Sequence, residues 1–555
     1  MAEGKLRIGV LCNGLQLQHW QLECLQKLAE VPGVEFCVAV VKAAESGAGQ
    51  AKQPLATALY RFYRYRLWKP RAMGPVDASS LLGHLPQVAC NPVRKGIAEH
   101  FSQADLEHIG SYRPDVLLRF GFNILGGGIL NLPKHGVWSF HHGDEQKYRG
   151  GPPGFWEIMA GDPITGAILQ RLTDKLDGGI VLRKGWFRTI DHSLKETVDT
   201  VLMHSAIWPA QVCRELLLGA DIGSVGIESK TQAPLYKYPR NLQFLHFIRR
   251  QWRNKVRFHR AELKDHEEWN IGVYHQPIAS LLDEGHNTSV QWLPAPAEGQ
   301  YRADPFGYYA DGQLHVLYER YDQSEGQARI ARLRPKQDNN LKRSRTMLDV
   351  GKHLSYPYIV EHEGTVYVIP EQAALGRVDL YRVTPGNDGM EPVALLLNEP
   401  LVDPTLFRHE GRWWLLGTKP PLTNVELFAY WSEVITGPFR PHPLNPVKMD
   451  IRSARPAGTP FVHEGTLWRP AQDSSLTYGG RISLNRVLAL TPTGFAEVTE
   501  KHIEPMIGRW SKGLHTISAA GDVTLLDGKR FLTDPAQRSR VRGRKLSGFF
   551  GKRKH

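Results

Sequence analysis

Cysteine is scarce in this chain. Only Cys12, Cys24, Cys37, Cys90 and Cys213 occur among 555 residues, none in a Cys-x-x-Cys pair and none in the C-terminal half. A disulfide framework and a thiolate zinc site are therefore excluded, and buried thiols with no metal centre are the expectation. No run of 18 apolar residues is present, so no membrane-crossing helix is expected. The opening MAEGKLRIGVLCNG leads straight into a strand and lacks the form of a secretory leader, which points to cytoplasmic residence. A phosphate-cradling loop is also missing, because Gly126-Gly127-Gly128 is not followed by Gly-Lys-Ser/Thr.

A broadly basic body is lacking too, despite a net charge of +13. Residues 236–260 and 538–555 each hold eight Lys/Arg and no acid, so together they supply +16 and leave everything else at −3. Such concentration argues against a nucleic-acid face. It favours an anionic membrane surface as partner, which would place the protein peripherally at the inner membrane surface.

What is present suits two or three globular domains. KLRIGVLCNG reads as a strand, LQHWQLECLQKLAEV as a helix and VEFCVAVVKA as a second strand, the opening of a parallel α/β sheet. GIAEHFSQADLEHIGSY reads as a further helix and PDVLLRFGF as a further strand. The expected divisions are an α/β domain over 1–222, a basic, partly helical linker over 223–269, an all-β domain over 270–535 and a basic tail over 536–555. In the linker Leu242, Leu245, Ile248 and Trp252 recur at helical spacing, either as a face packed on neighbours or as one lying on a membrane.

The stretch HGVWSFHHGDEQKYRGGPPGFWEIMAGDPITGAILQRLTDKLDGGIVL carries the chemistry of the first half. Ser139-Phe140-His141, Tyr148-Arg149-Gly150, Gly161-Asp162, Thr165-Gly166 and Asp177-x-Gly179 follow one another at the spacing of the 10-formyltetrahydrofolate-dependent formyltransferases, which this region resembles. The resemblance implies a Rossmann-like formyltransferase fold and folate-dependent formyl transfer. It implies His141 as acid/base, Asp177 as its partner, cofactor contacts from Phe120, Gly121, Asp174 and Gly179, and substrate contacts from Asp144, Tyr148, Arg149 and Gly150. The family has Asn where this chain has Ser139. A hydroxyl there would be a weaker oxyanion donor, and losing one such donor costs about 10²–10³ in rate.

A repeat of roughly 50 residues fills the second half. Its copies begin ADPFGYYADGQ, YPYIVEHEG, DPTLFRHEG and AGTPFVHEG, with a divergent fifth, GLHTISAAGDVTLLDG. Glycines 312, 364, 411 and 465 mark the turns; Pro305, Pro357 and Pro404 stand seven residues earlier, where the fourth copy has Gly458. Strand, glycine turn and strand at this period predict a five-bladed β-propeller. Asp304 and Asp403 are equivalent positions, as are Glu319, Glu371 and Gln472, so carboxylates should converge on one axis. Through Asp304-Pro305-Phe306, Ile369-Pro370-Glu371-Gln372, Asp403-Pro404-Thr405 and His515-Thr516-Ile517 the region resembles five-bladed glycoside hydrolases. It resembles still more the N-terminal region of plant glucosamine inositolphosphorylceramide transferases.

Three functions follow as expectations. The first is formyl transfer from 10-formyltetrahydrofolate to an amino sugar in glycan or glycolipid assembly, the propeller binding the sugar. The second is a non-catalytic formyltransferase-like scaffold on a carbohydrate-binding propeller. The third is a propeller-based transferase or hydrolase using Asp304, Glu371 and Asp403.

Overall fold

The computed structural model describes residues 5–43, 54–174, 178–285, 289–335 and 344–533. The chain forms two compact units, Met1–Arg257 and Phe258–His555.

The first unit is built on an eight-stranded sheet. Its strands are β1 (Leu6–Cys12), β2 (Val34–Lys42), β3 (Gln87–Cys90), β4 (Val116–Arg119), β5 (Val137–His141), β6 (Ile164–Arg171), β7 (Ile180–Arg188) and β8 (Ile227–Glu228), in the order β8-β7-β6-β5-β4-β1-β2-β3. From β5 to β3 every pairing is parallel, while β6, β7 and β8 are antiparallel. The near-continuous burial of β1 and β4 explains their unbroken apolar runs, since a parallel strand is covered on both faces. The Rossmann-like, formyltransferase-type sheet expected from the sequence is thus present.

One helix begins later than its apolar pattern suggests. Residues Ala98–His100 pair with Val93–Lys95 as a hairpin, and the helix α3 follows α1 (His19–Ala29) and α2 (Ala58–Phe62) only at Gln103–Ser111. Ser102 sets that start: its hydroxyl accepts from the Asp105 amide at 3.1 Å, and Asp105 accepts from the Ser102 amide at 3.2 Å. This reciprocal cap satisfies two otherwise orphaned donors.

The second unit is a five-bladed propeller. Four blades are sequential sheets over 300–348, 355–397, 402–449 and 461–503. The fifth joins the two ends of the unit: β9 (Asp265–Tyr274) pairs antiparallel with a late strand, Val523–Thr533, along its whole length. That late strand in turn pairs with Ile517–Ala520, the inner strand of the fifth blade. A ring closed in this way leaves no open sheet edge between first and last blade.

The repeat's X-Pro pairs have a definite structural office. In the first three blades the ladder between inner and second strand breaks at Ala303/Phe306, Ser355/Tyr358 and Val402/Thr405. At each break the residue before proline is left-handed, with φ of 51° at Asp304, 44° at Tyr356 and 50° at Asp403. These bulges re-aim the side chains that they carry. In blade two the aimed group is Tyr356, whose hydroxyl lies 2.9 Å from Thr405 Oγ1 and accepts from the Gly458 amide at 2.7 Å. Thus one of the three equivalent positions ties blades together, while the other two carry carboxylates.

Candidate active sites

In the first unit, Arg119 and His141 are the last residues of the parallel neighbours β4 and β5. The carboxyl ends of such strands are where open α/β sheets bind ligands. Here they open onto a cavity of about 450 Å³. Arg119, His141, Gly150, Asp174 and Gly179 line it together with apolar side chains such as Ile124 and Leu125. Four of the positions marked out in the sequence therefore meet in one concavity. The Gly127 amide donates to Asp174 Oδ1 at 3.2 Å and so ties two rim segments together.

His141 Nε2 stands 2.9 Å from the Tyr148 carbonyl. A carbonyl only accepts, so Nε2 is the donor in this contact. The adjacent His142 is a different case. Burial, reinforced by His141, pushes its pKa down to about 3, and its ring stacks on Phe140 at 5.5 Å, so it stays neutral as core.

Ser139 is fully buried. Its hydroxyl accepts from Arg119 Nε at 3.1 Å and from Nη2 at 2.8 Å. A second nitrogen of Arg119, Nη1, donates to the Asn123 carbonyl at 2.8 Å and the Phe122 carbonyl at 3.4 Å. These acceptors are neutral, and among the described residues no carboxylate stands within ion-pair distance of this guanidinium. Sequence reasoning passed over Arg119 because it sits in an apolar strand run with no motif around it. Phe120 and Gly121 do not line the cavity. Phe120 packs edge-on against Trp20 with ring centroids 5.4 Å apart, and a Cβ on Gly121 would lie 2.5 Å from the Cys12 carbonyl carbon. Asp144 is held by Lys184 at 2.8 Å, and Arg149 donates to the Ala233 carbonyl at 3.1 Å. Asp177 lies outside the described residues.

Nearby, on α4 (Phe155–Ala160), Glu157 is buried and its pKa is raised to about 8, by burial first and then by Asp162 and Asp144. It is therefore a neutral acid at pH 7. No motif marked it.

The propeller's carboxylates gather in two linked groups. In one, Asp304 Oδ1 accepts from Thr516 at 2.5 Å, His515 Nε2 is 3.8 Å from the same oxygen, and His515 Nδ1 is 2.6 Å from Asp527 Oδ2. Trp269 stacks on the imidazole at 3.9 Å. Burial disfavours a charged His515, yet Asp527 and Asp304 outweigh it and raise the pKa. Burial, with Asp403 and Asp527 adding to it, lifts Asp304 to about 6 against the pull of His515 and Thr516. Asp304, His515 and Asp527 are also the group whose ligand atoms all fall within 4.8 Å of one another.

In the other group, Arg455 forks onto Asp403 at 2.6 and 3.1 Å, and Gln472 donates to Asp403 at 2.8 Å. Glu371 accepts from Ser355 at 3.1 Å. Burial and the neighbouring Asp403 push its pKa up to about 8, although Arg455 opposes them. Glu319 is raised as well, chiefly by burial and by Asp304. A glutamic acid with a raised pKa thus stands near an aspartate that is forked by a guanidinium. Asp304, Glu371, Asp403 and His515 were all marked in the sequence. Asp527 and Arg455 were not: Asp527 stands in the divergent fifth copy and Arg455 just before the fourth, neither at a position that the other copies repeat.

The two halves of the chain resemble different known proteins. Residues 285–518 match the family described as glucosamine inositolphosphorylceramide transferase 1, N-terminal. The glucosamine inositolphosphorylceramide transferase 1 of Oryza sativa subsp. japonica is 33% identical over 258 residues, 41% of this chain and 34% of the rice protein. The chain therefore spans about a third of the length of that relative. A methionyl-tRNA formyltransferase of Halalkalibacterium halodurans is 37% identical over 81 residues, 14% of this chain and 26% of the relative. Among solved structures, Zg3597, a family 117 glycoside hydrolase of Zobellia galactanivorans, aligns with a TM-score of 0.30 at 12% identity. It covers 48% of this chain and 91% of its own.

Proposed function

We propose that the first unit transfers a formyl group from 10-formyltetrahydrofolate to the amine of an amino sugar in glycolipid or glycan assembly, and that the propeller engages the sugar. The observation that carries this reading is the cavity at the ends of β4 and β5, where His141 and Arg119 meet beside Gly150, Asp174 and Gly179. Its volume is within the usual range for small-molecule sites. Its apolar residues, Ile124 and Leu125 among them, suit a flat heteroaromatic ring, and the Thr173–Asp174 segment offers polar edges. When bound, the folate would supply an activated formyl carbon.

The chain's own groups then divide the work. His141 takes the proton that the amine loses on attack and passes it to the nitrogen from which the formyl group departs as that carbon–nitrogen bond breaks. Arg119 faces the negative charge that develops on the formyl oxygen, and a fixed cation in a confined site is well suited to that task. Ser139 holds Arg119 in place. The test is turnover with 10-formyltetrahydrofolate and a panel of amino-sugar nucleotides, read as tetrahydrofolate release. Turnover abolished by His141→Ala supports the proposal; a folded protein that neither binds a folate analogue nor turns over any acceptor overturns it.

A second reading rests on Glu371 and Asp403, an acid and a base in neighbouring blades. Under it the propeller itself cleaves or transfers a glycosidic bond, Glu371 donating the proton. Sugar turnover lost in Glu371→Gln and kept in His141→Ala would favour this reading.

A further inference from the structure

Two elements of the first unit leave large apolar side chains in solvent on adjoining surfaces. α2 and the turn before it expose Leu55, Leu59 and Phe62, the last 61% accessible. The helix α7, reached in chain order after α5 (Leu194–Ser205) and α6 (Trp208–Leu217), runs over Asn241–Lys264. It buries Phe244 and Phe247 in the core and exposes Leu242 (74%), Leu245, Ile248 and Trp252 (67%). The exposed four recur every three or four residues and form a second apolar stripe about a third of a turn from the buried phenylalanines. A helix that needed only to pack on its own unit would require one such stripe.

The two elements are fixed side by side. The Asn241 side chain accepts from the Leu59 amide at 3.1 Å and donates to the Leu55 carbonyl at 3.0 Å. Behind them the rings of Tyr63 and Phe244 lie 5.2 Å apart. The two segments themselves carry charge of one sign, since neither 54–76 nor 236–260 contains an acid, and the carboxylate of Asp191 that meets α7 is paired with Arg257. Arg66 and Lys69 beside α2, and Arg249 and Arg253 on α7, are exposed.

We propose that this face docks on an anionic lipid bilayer, its leucines, Phe62 and Trp252 entering the headgroup boundary and its arginines meeting lipid phosphates. A second protein would not demand charge of a single sign over both elements, whereas an anionic bilayer does. A contiguous apolar surface of this kind is uncommon on a monomer without a partner. The inference is independent of the chemistry assigned to either site.

The test is flotation of the full chain with vesicles of phosphatidylcholine alone and of phosphatidylcholine mixed with phosphatidylglycerol. The expected result is salt-sensitive binding to the mixed vesicles, weakened at least about tenfold in Phe62→Glu/Trp252→Glu and kept in Leu488→Glu on the propeller. Should the double variant fail to melt like the wild type, Arg249→Ala/Arg253→Ala serves instead and should also weaken binding. Three results overturn the proposal: no preference for anionic vesicles, binding that survives these variants and is lost only with residues 534–555, or a dimer in light scattering that the same variants dissociate.

Discussion

The hydroxyl of Ser139 accepts two hydrogen bonds from one guanidinium, so it faces the side chain behind the cavity and leaves the cavity to Arg119. If Arg119 meets the developing charge, Arg119→Met should lower kcat by about 10²–10³ with little change in folate-analogue affinity, measured by steady-state kinetics beside calorimetry. Ser139→Ala should cost less, because the two backbone carbonyls still hold Nη1. Ser139→Asn gives the sharper outcome. Were position 139 the donor, the amide would raise the rate; with Arg119 as donor, the larger side chain displaces the guanidinium and the rate falls. Individual residues were readable in the sequence only where a motif framed them. His141, Asp304 and Asp403 stood in such frames, whereas Arg119, Arg455 and Asp527 stand at positions that no motif or repeat offset marks, and only the fold shows what they face.

At the level of the element, the propeller repeat shows what local pattern carries. A left-handed residue before proline in a strand is a costly conformation, and it recurs at Asp304, Tyr356 and Asp403 because the bulge aims each side chain inward. Blade four departs from the pattern at Gly458 for a different reason. Its φ is +115°, and a Cβ there would lie 1.7 Å from the Ile517 carbonyl oxygen. Gly458→Ala is therefore expected to destabilise the second unit by at least about 3 kcal/mol, seen as a lower urea midpoint, with the first unit unaffected. The helix around 241–264 was readable as a helix, but not in its orientation. Its sequence holds two apolar stripes, and periodicity alone does not say which one, Phe244 and Phe247 or Leu242 and Trp252, the fold will cover. The hairpin at 93–100 was missed because its alanine and isoleucine fit helical spacing, while the cap at Ser102 decides where the helix starts.

For the whole molecule, each unit closes its own cores. The apolar clusters around Phe155 and Val38 draw on the first unit alone, and those around Tyr356, Trp414 and Ile517 on the second alone. Scanning calorimetry should therefore resolve two transitions. A folate analogue at a hundredfold excess over its Kd should stabilise the first unit by about 2.7 kcal/mol and leave the propeller's transition in place. The propeller should answer to pH instead. Glu371 is raised from its ordinary value to about 8 and Asp304 to about 6, while burial lowers His353, His442 and His502; above the ordinary histidine value of about 6.5 those imidazoles no longer count, so from about pH 6.5 to 8 the folded propeller binds more protons than the unfolded chain through Glu371. Its stability is then greatest on the acid side of that window and falls as pH rises, by no more than about 1.4 kcal/mol per pH unit for each proton concerned. Glu497 acts the other way. Burial opposes its charge, but Arg469 and Lys448 outweigh that and hold its pKa down at about 2, so its contribution is lost as pH falls below the ordinary carboxylate range. Glu371→Gln removes one raised acid. Its propeller transition should sit above that of the wild type at pH 8, the two should converge toward pH 5, and the first unit's transition should be the same in both. A Glu371→Gln propeller transition no higher than that of the wild type at pH 8 would show that Glu371 is ionised in the folded state, and with it the acid role assigned to that residue would fall.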